Sequence, residues 1–145
     1  MGTNKSAKTT DKLKSELKKA SSITEFMKEN ENELKAVTVP EFLNEMLIKY
    51  DLEKKDIILR SGFPGNYAYK IFCGEKNGSR ERLLWLAFGF PLTLEETRQL
   101  LRAGGYNELS VKNKRDALMI FALDGGYTIT EVNKLLIENE EDAFA

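Results

Sequence analysis

Gly62-Phe63-Pro64-Gly65-Asn66-Tyr67-Ala68-Tyr69-Lys70-Ile71-Phe72-Cys73-Gly74, followed by Ser79-Arg80-Glu81-Arg82-Leu83-Leu84-Trp85-Leu86-Ala87, is the stretch whose reading decides the fold. Glycine suits the left-handed position just past a helix and proline suits a helix's first turn. The pattern therefore predicts one short helix from Lys54 to Ser61 ended by Gly62, and a second from Pro64 to Phe72 ended by Gly74. Ser79 is placed to cap a third helix with Leu83, Leu84, Leu86, Ala87 and Phe88 turned inward and Trp85 packed among them.

Upstream, Thr38-Val39-Pro40-Glu41 has the spacing of a capping box with proline in the first turn. Phe42, Leu43, Met46, Leu47 and Tyr50 then recur with helical period. Ser22-Ile23-Thr24-Glu25 carries the same signature, and Ile23, Phe26, Met27 and Leu34 predict a helix over 23–34. Before it, Leu13, Leu17 and Ala20 give only a weak stripe among lysines, a marginal helix over 11–20 in a tail that lacks an apolar period. Downstream, Thr93-Leu94-Glu95-Glu96-Thr97-Arg98-Gln99-Leu100-Leu101 and Thr128-Ile129-Thr130-Glu131-Val132-Asn133-Lys134-Leu135-Leu136 share the pattern Thr-apolar-x-Glu-x-x-x-Leu-Leu. Ala87 and Ala122 lie in the same register, so two stacked helical hairpins are expected, each burying the apolar face of the other. The domain organisation is a flexible Lys-rich tail over 1–21, an N-terminal helix with the central motif over 22–90, and a hairpin extension with an acidic tail over 91–145.

Composition narrows the function. The 145-residue chain has no histidine and a single cysteine, Cys73. The commonest general base and the commonest zinc ligand are thus missing, and a thiolate cluster is ruled out. The carboxylates are scattered among lysines at helical spacing, as on a solvated face, so no enzyme and no cofactor is expected. No secretory core or bilayer-spanning run is apparent and one cysteine has no partner in the chain, which points to a reducing cytoplasm. The net charge of −1 is unevenly spread. Lys5, Lys8, Lys12, Lys14, Lys18 and Lys19 crowd one end, and Glu138, Glu140, Glu141 and Asp142 the other. Between 53 and 82, Lys54, Lys55, Arg60, Lys70, Lys76, Arg80 and Arg82 outnumber Glu53, Asp56, Glu75 and Glu81, a polarity compatible with a phosphate-facing surface.

The spacing of Gly62, Phe63, Ile71, Gly74, Ser79, Leu83, Leu86 and Ala87 resembles that of the lambda-repressor and Cro family, also called xenobiotic-response-element (XRE) regulators. The resemblance covers about residues 39–90. It implies an all-α fold with a helix-turn-helix core, here extended by the C-terminal hairpins, and a DNA-binding transcriptional regulator, repressor-like, of bacterial or phage origin. In such a fold the helix after Gly62 enters the major groove. Its outward positions are expected to be Gly65, Asn66, Tyr69 and Lys70, with Tyr67 partly exposed. Asn66 suits an adenine edge and Lys70 a guanine edge or a phosphate. Lys54 stands where the family often opens its second helix with glutamine, which implies a phosphate contact, and Lys76 and Arg80 flank the following loop. Arg82 is a weaker candidate on the same side.

Double-stranded DNA is thus the partner the resemblance implies, bound by a homodimer formed through the C-terminal hairpins. Departures point to a second reading. Ile58 stands where the family usually has alanine and Ala68 where it has isoleucine or valine, a pair that a volume-conserving exchange explains. The recognition face carries glycine and tyrosines where arginine, glutamine or serine is more typical, and Pro64 removes a backbone donor. For Tyr67, Tyr69 and Phe72 packing is the ordinary role. If they instead formed an exposed aromatic cluster, they would suit a protein partner, making the chain an interaction or adaptor module on a helix-turn-helix scaffold that does not bind DNA.

Overall fold

A computed structural model describes residues 37–64 and 66–145, and every regular element among them is helical. The helices expected over 11–20 and 23–34, and Gly65, lie outside the described residues. The first described helix, α1 (Val39–Tyr50), starts where both halves of its capping box close. The Thr38 hydroxyl accepts the Glu41 N–H at 3.2 Å while the Glu41 carboxylate accepts the Thr38 N–H at 3.0 Å. Val39, Phe42, Leu43, Met46 and Leu47 are buried along one face, the i, i+3, i+4 pattern of an amphipathic helix.

Helix α2 (Lys54–Ser61) ends at Gly62, whose φ of 70° is the left-handed conformation that a side chain would strain. The next helix, α3 (Tyr67–Cys73), begins three residues later than the proline suggests. Phe63 explains the difference. Its ring is buried 4.3 Å from that of Trp85, and its N–H donates to the Ser61 hydroxyl at 3.3 Å. Sinking Phe63 into the core keeps Pro64 in the turn, and the helix starts only after Asn66.

Helix α4 (Arg80–Gly89) is capped by Ser79, whose hydroxyl accepts the Arg82 N–H at 3.2 Å. From Leu83 to Gly89 every residue is buried, so α4 is the central rod, with α2, α5 (Leu94–Ala103) and α7 (Ile129–Glu138) packed round it. Gly89 permits the α2 approach: a Cβ there would lie 3.0 Å from the Ile57 carbonyl oxygen and 3.1 Å from the Ser61 Cβ. The Trp85 indole N–H donates to the Ser61 carbonyl and ties the same two helices.

The repeat runs through α5 (Leu94–Ala103) and α7 (Ile129–Glu138), which pair with α4 and with α6 (Lys114–Asp124) respectively. Both capping boxes form, Thr93 with Glu96 and Thr128 with Glu131. Ala87 and Ala122 are both fully buried. Beyond the shared pattern, the backbone repeats too. Leu92 N–H bonds to the Ala87 carbonyl at 2.9 Å and Tyr127 N–H to the Ala122 carbonyl at 3.0 Å. Tyr106 N–H to Leu101 and Glu141 N–H to Leu136 match in the same way, at 2.9 and 2.8 Å. Such bonds, reaching back five residues, satisfy carbonyls that a helix end would otherwise strand.

The acidic tail is not free. Phe144 is buried, 5.9 Å from the rings of both Trp85 and Phe88, and its N–H donates to the Asn133 side chain at 2.8 Å. Arg115 holds the same segment through the Asp142 carbonyl at 2.6 Å and the Glu141 carboxylate at 3.5 Å, while its other side pairs with Glu81. An aromatic side chain with a core site, flanked by acids that meet an arginine, docks a tail that charge alone would leave in solvent. Residues 37–145 form one compact unit. Among the described residues no helix is long and apolar enough to cross a membrane.

Candidate nucleic-acid interface

The surface under consideration is α3 with the cations beside it. Ala68, Ile71 and Phe72 are buried, which fixes the helix by one side and leaves Asn66 and Tyr69 exposed and Lys70 and Tyr67 half-buried. These are the outward positions expected from sequence, with Gly65 outside the described residues. Asn66 sits at the helix cap yet makes no capping bond with its side chain, and its amide donors and acceptor have no partner among the described residues. Behind the helix, the Asn44 amide of α1 donates to the Phe72 carbonyl at 3.3 Å and to the Pro40 carbonyl at 2.7 Å. That bond ties the end of α3 to α1, and a rigid backing is what a side-chain reading surface needs.

Three lysines lie around the helix. Lys54, opening α2, has its ammonium 6.0 Å from the Phe72 ring. Lys70 is on α3 itself. Lys76 follows the Gly74 turn, and its N–H folds back onto the Lys70 carbonyl at 3.1 Å. Among the described residues none of the three has a carboxylate within ion-pair distance, so their charge is not neutralised locally. Glu75 is exposed between them and weakens the field.

Two of the expected positions have other occupations. Arg80 makes a two-pronged ion pair with Asp116, at 2.9 and 3.1 Å, and also donates to the carbonyls of Asn107 and Glu108 at 3.0 and 3.1 Å. Its guanidinium clamps α4 to α6 and the loop before it, and the sequence offered no sign of that, because Asp116 is 36 residues away. A phosphate would have to compete with a buried carboxylate for those donors. Tyr67 is likewise engaged: the Arg82 guanidinium lies 4.3 Å from its ring and Phe63 stacks at 6.2 Å. Arg82 thereby stands beside the start of α3. Phe72 is core, as its type suggests. The exchanged pair also sits inside, with Ala68 fully buried and Ile58 half-buried.

A second charged group lies elsewhere. Glu96 of α5 is buried and receives the Lys49 ammonium, the Tyr50 hydroxyl at 2.6 Å and the Thr93 N–H at 3.0 Å. Burial pushes its carboxyl up, but the bonds from Lys49, Thr93 and Tyr50 outweigh burial and hold it below the ordinary value. Burial and the bond to Glu96 push the Tyr50 hydroxyl up to about 12. Lys49 and Tyr50 of α1 both bond to Glu96 of α5, so the group fastens the two helices together.

Comparison with known protein families, curated proteins and solved structures returns no match for this chain.

Proposed function

We propose that this chain is a sequence-specific DNA-binding transcriptional regulator, a binding protein that acts without cofactor and reads the major groove with α3. The observation that carries the reading is the exposed Asn66, whose side chain makes no capping bond, one helical turn before Lys70, with Lys54 and Lys76, which have no ion-pair partner among the described residues, near the other end of α3. Asparagine can bond an adenine edge with two hydrogen bonds, and the lysines supply phosphate or guanine contacts. The resemblance of residues 39–90 to the lambda-repressor and Cro family supports the same reading.

The test is titration of short duplexes, of random sequence and of the region upstream of the protein's own gene, over a range of salt. Tight binding to one sequence that weakens steeply with salt is expected. Asn66→Ala/Lys70→Ala should cost about 10- to 100-fold or more on that sequence. Lys54→Ala should weaken binding to all sequences alike and lower the salt slope by about one. No binding at low salt would sink the reading.

One observation favours a second reading, an interaction module that keeps the scaffold without binding DNA. Tyr69 projects from the centre of α3 with 43% of its surface exposed, and aromatic anchors concentrate in protein interfaces. Under that reading Tyr69→Ala abolishes partner capture while duplex binding is absent in the parent.

A further inference from the structure

Helix α6 shows two anomalies that have one explanation. The first is charge. Its first residue is Lys114 and its last is Asp124, both exposed. A helix carries partial positive charge at its N-terminus and negative at its C-terminus, so each residue stands at the end that disfavours it. Neither has an ion-pair partner among the described residues to offset this.

The second is burial. Phe121 is 60% exposed, whereas its register mate in the first hairpin, Leu86, is fully buried in the centre of the molecule. Ala117 and Leu118 on the same side of α6 are only half-covered. At about 100° per residue, Lys114, Ala117, Leu118 and Asp124 all fall within about 60° of the direction of Phe121. The face is therefore a partly covered apolar strip with a cation at one end and an anion at the other; Phe121 meets the Tyr127 ring edge-on at 5.8 Å and still leaves most of its surface open.

We infer that this face pairs with the same face of a second copy of the chain, the two α6 helices running antiparallel about a two-fold axis at mid-helix. The strip is complementary to itself in that arrangement. Lys114 meets Asp124 of the second copy at both ends, and Phe121 lies over Ala117, beside Leu118, of the second copy between them. A two-fold contact of this kind uses one patch twice and closes without leaving a sticky end. The misplaced charges become the device that sets direction, since parallel pairing would bring like charges together. The inference does not rest on DNA binding.

Sedimentation of the full chain at tens of micromolar tests it. The wild type should be a dimer. Phe121→Glu should be a monomer with unchanged helical circular dichroism, as expected for an exposed site, and its melting should lose the wild type's dependence on protein concentration. Lys114→Glu and Asp124→Lys should each weaken dimerisation by about tenfold, since each breaks two pairs. Both single changes favour the helix dipole, so loss of folding is not an alternative cause. Lys114→Glu/Asp124→Lys together should restore the wild-type dissociation constant. A monomeric wild type would overturn the inference and leave the face to a different protein. A dimer that persists in Phe121→Glu, or a double variant no better than the singles, would overturn it as well. Asn66→Ala/Lys70→Ala should leave the dimer intact, which keeps failure of this pairing distinct from failure of DNA binding.

Discussion

The two halves of the 35-residue repeat carry the same local code and bear different loads. Thr93 and Glu96 close a capping box, and so do Thr128 and Glu131. Yet Glu96 is buried beneath Lys49 and Tyr50 of α1, while Glu131 is exposed and serves its own helix alone. Leu86 is sealed in the middle of the molecule and its mate Phe121 faces outward. The difference follows from position. α4 is covered on several sides by α2, α5 and α7, whereas α6, at the end of the stack, packs on α5 and α7. Local sequence builds the hairpin, and its neighbours decide which of its residues hold the fold.

The largest break in the comparison should come from truncating the two mates. Leu86→Ala should lose about 3 kcal/mol of stability, because a deleted core side chain forfeits its burial and leaves a cavity. Phe121→Ala should stay within about 0.5 kcal/mol, as surface changes do. Urea unfolding at protein concentrations low enough to exclude association measures both, and equal losses would refute the contrast. The two glutamates come next. Glu96→Ala should cost about 2 kcal/mol, since it removes the cap and strips Tyr50 and Lys49 of their acceptor, with the exposed lysine contributing least. Glu131→Ala should cost about 0.5 kcal/mol, the loss of one half of a capping box.

Acid tests the buried member of the pair. The folded state holds the Glu96 carboxyl below its usual value, so its contribution is complete above the unfolded carboxyl range, about pH 4.3, and disappears as pH falls through the lower folded value. Melting temperature followed downward from neutral pH should therefore drop less steeply in Glu96→Gln than in the parent. If Glu96→Gln keeps the parent's acid slope, the bonds to Glu96 do not persist in solution.

Sequence carried the helix ends and little of the fastening. Thr38, Gly62 and Ser79 could be placed because capping and turn chemistry act over three or four residues, and the structure uses each of them at a helix end. The outward set on α3 was legible for the same reason, since Ala68, Ile71 and Phe72 mark its inner side. Periodicity said nothing about Arg80 and Asp116, or about Glu96 and Lys49, which meet across 36 and 47 residues. Phe144 likewise fell within what read as an acidic tail. A long-range partner leaves no trace in the spacing of its own segment. The start of α3 was misplaced because Pro64 obeys the buried Phe63 beside it rather than its own preference for a first turn.

The smallest effect is also the sharpest test of the repeat. Past α5 the chain turns through Gly105 at φ 79°, and 35 residues later it turns through Glu140 at φ 62°, with matching backbone bonds to Arg102 and Ile137 at 3.0 and 3.1 Å. Glycine meets no penalty there, whereas a side chain in the left-handed region costs about 1–2 kcal/mol. Glu140 is exposed, and its side chain makes none of the ion pairs or hydrogen bonds found for its neighbour Glu141. Glu140→Gly should relieve that strain and lose about 0.5–1 kcal/mol through the freer unfolded chain. The balance is a gain of about 0.5 kcal/mol, read as a small rise in the urea midpoint at unchanged slope. Gly105→Glu, the reciprocal change, should lower the midpoint by about the same energy, and the pair of opposite shifts would show that the two turns are one structural element used twice.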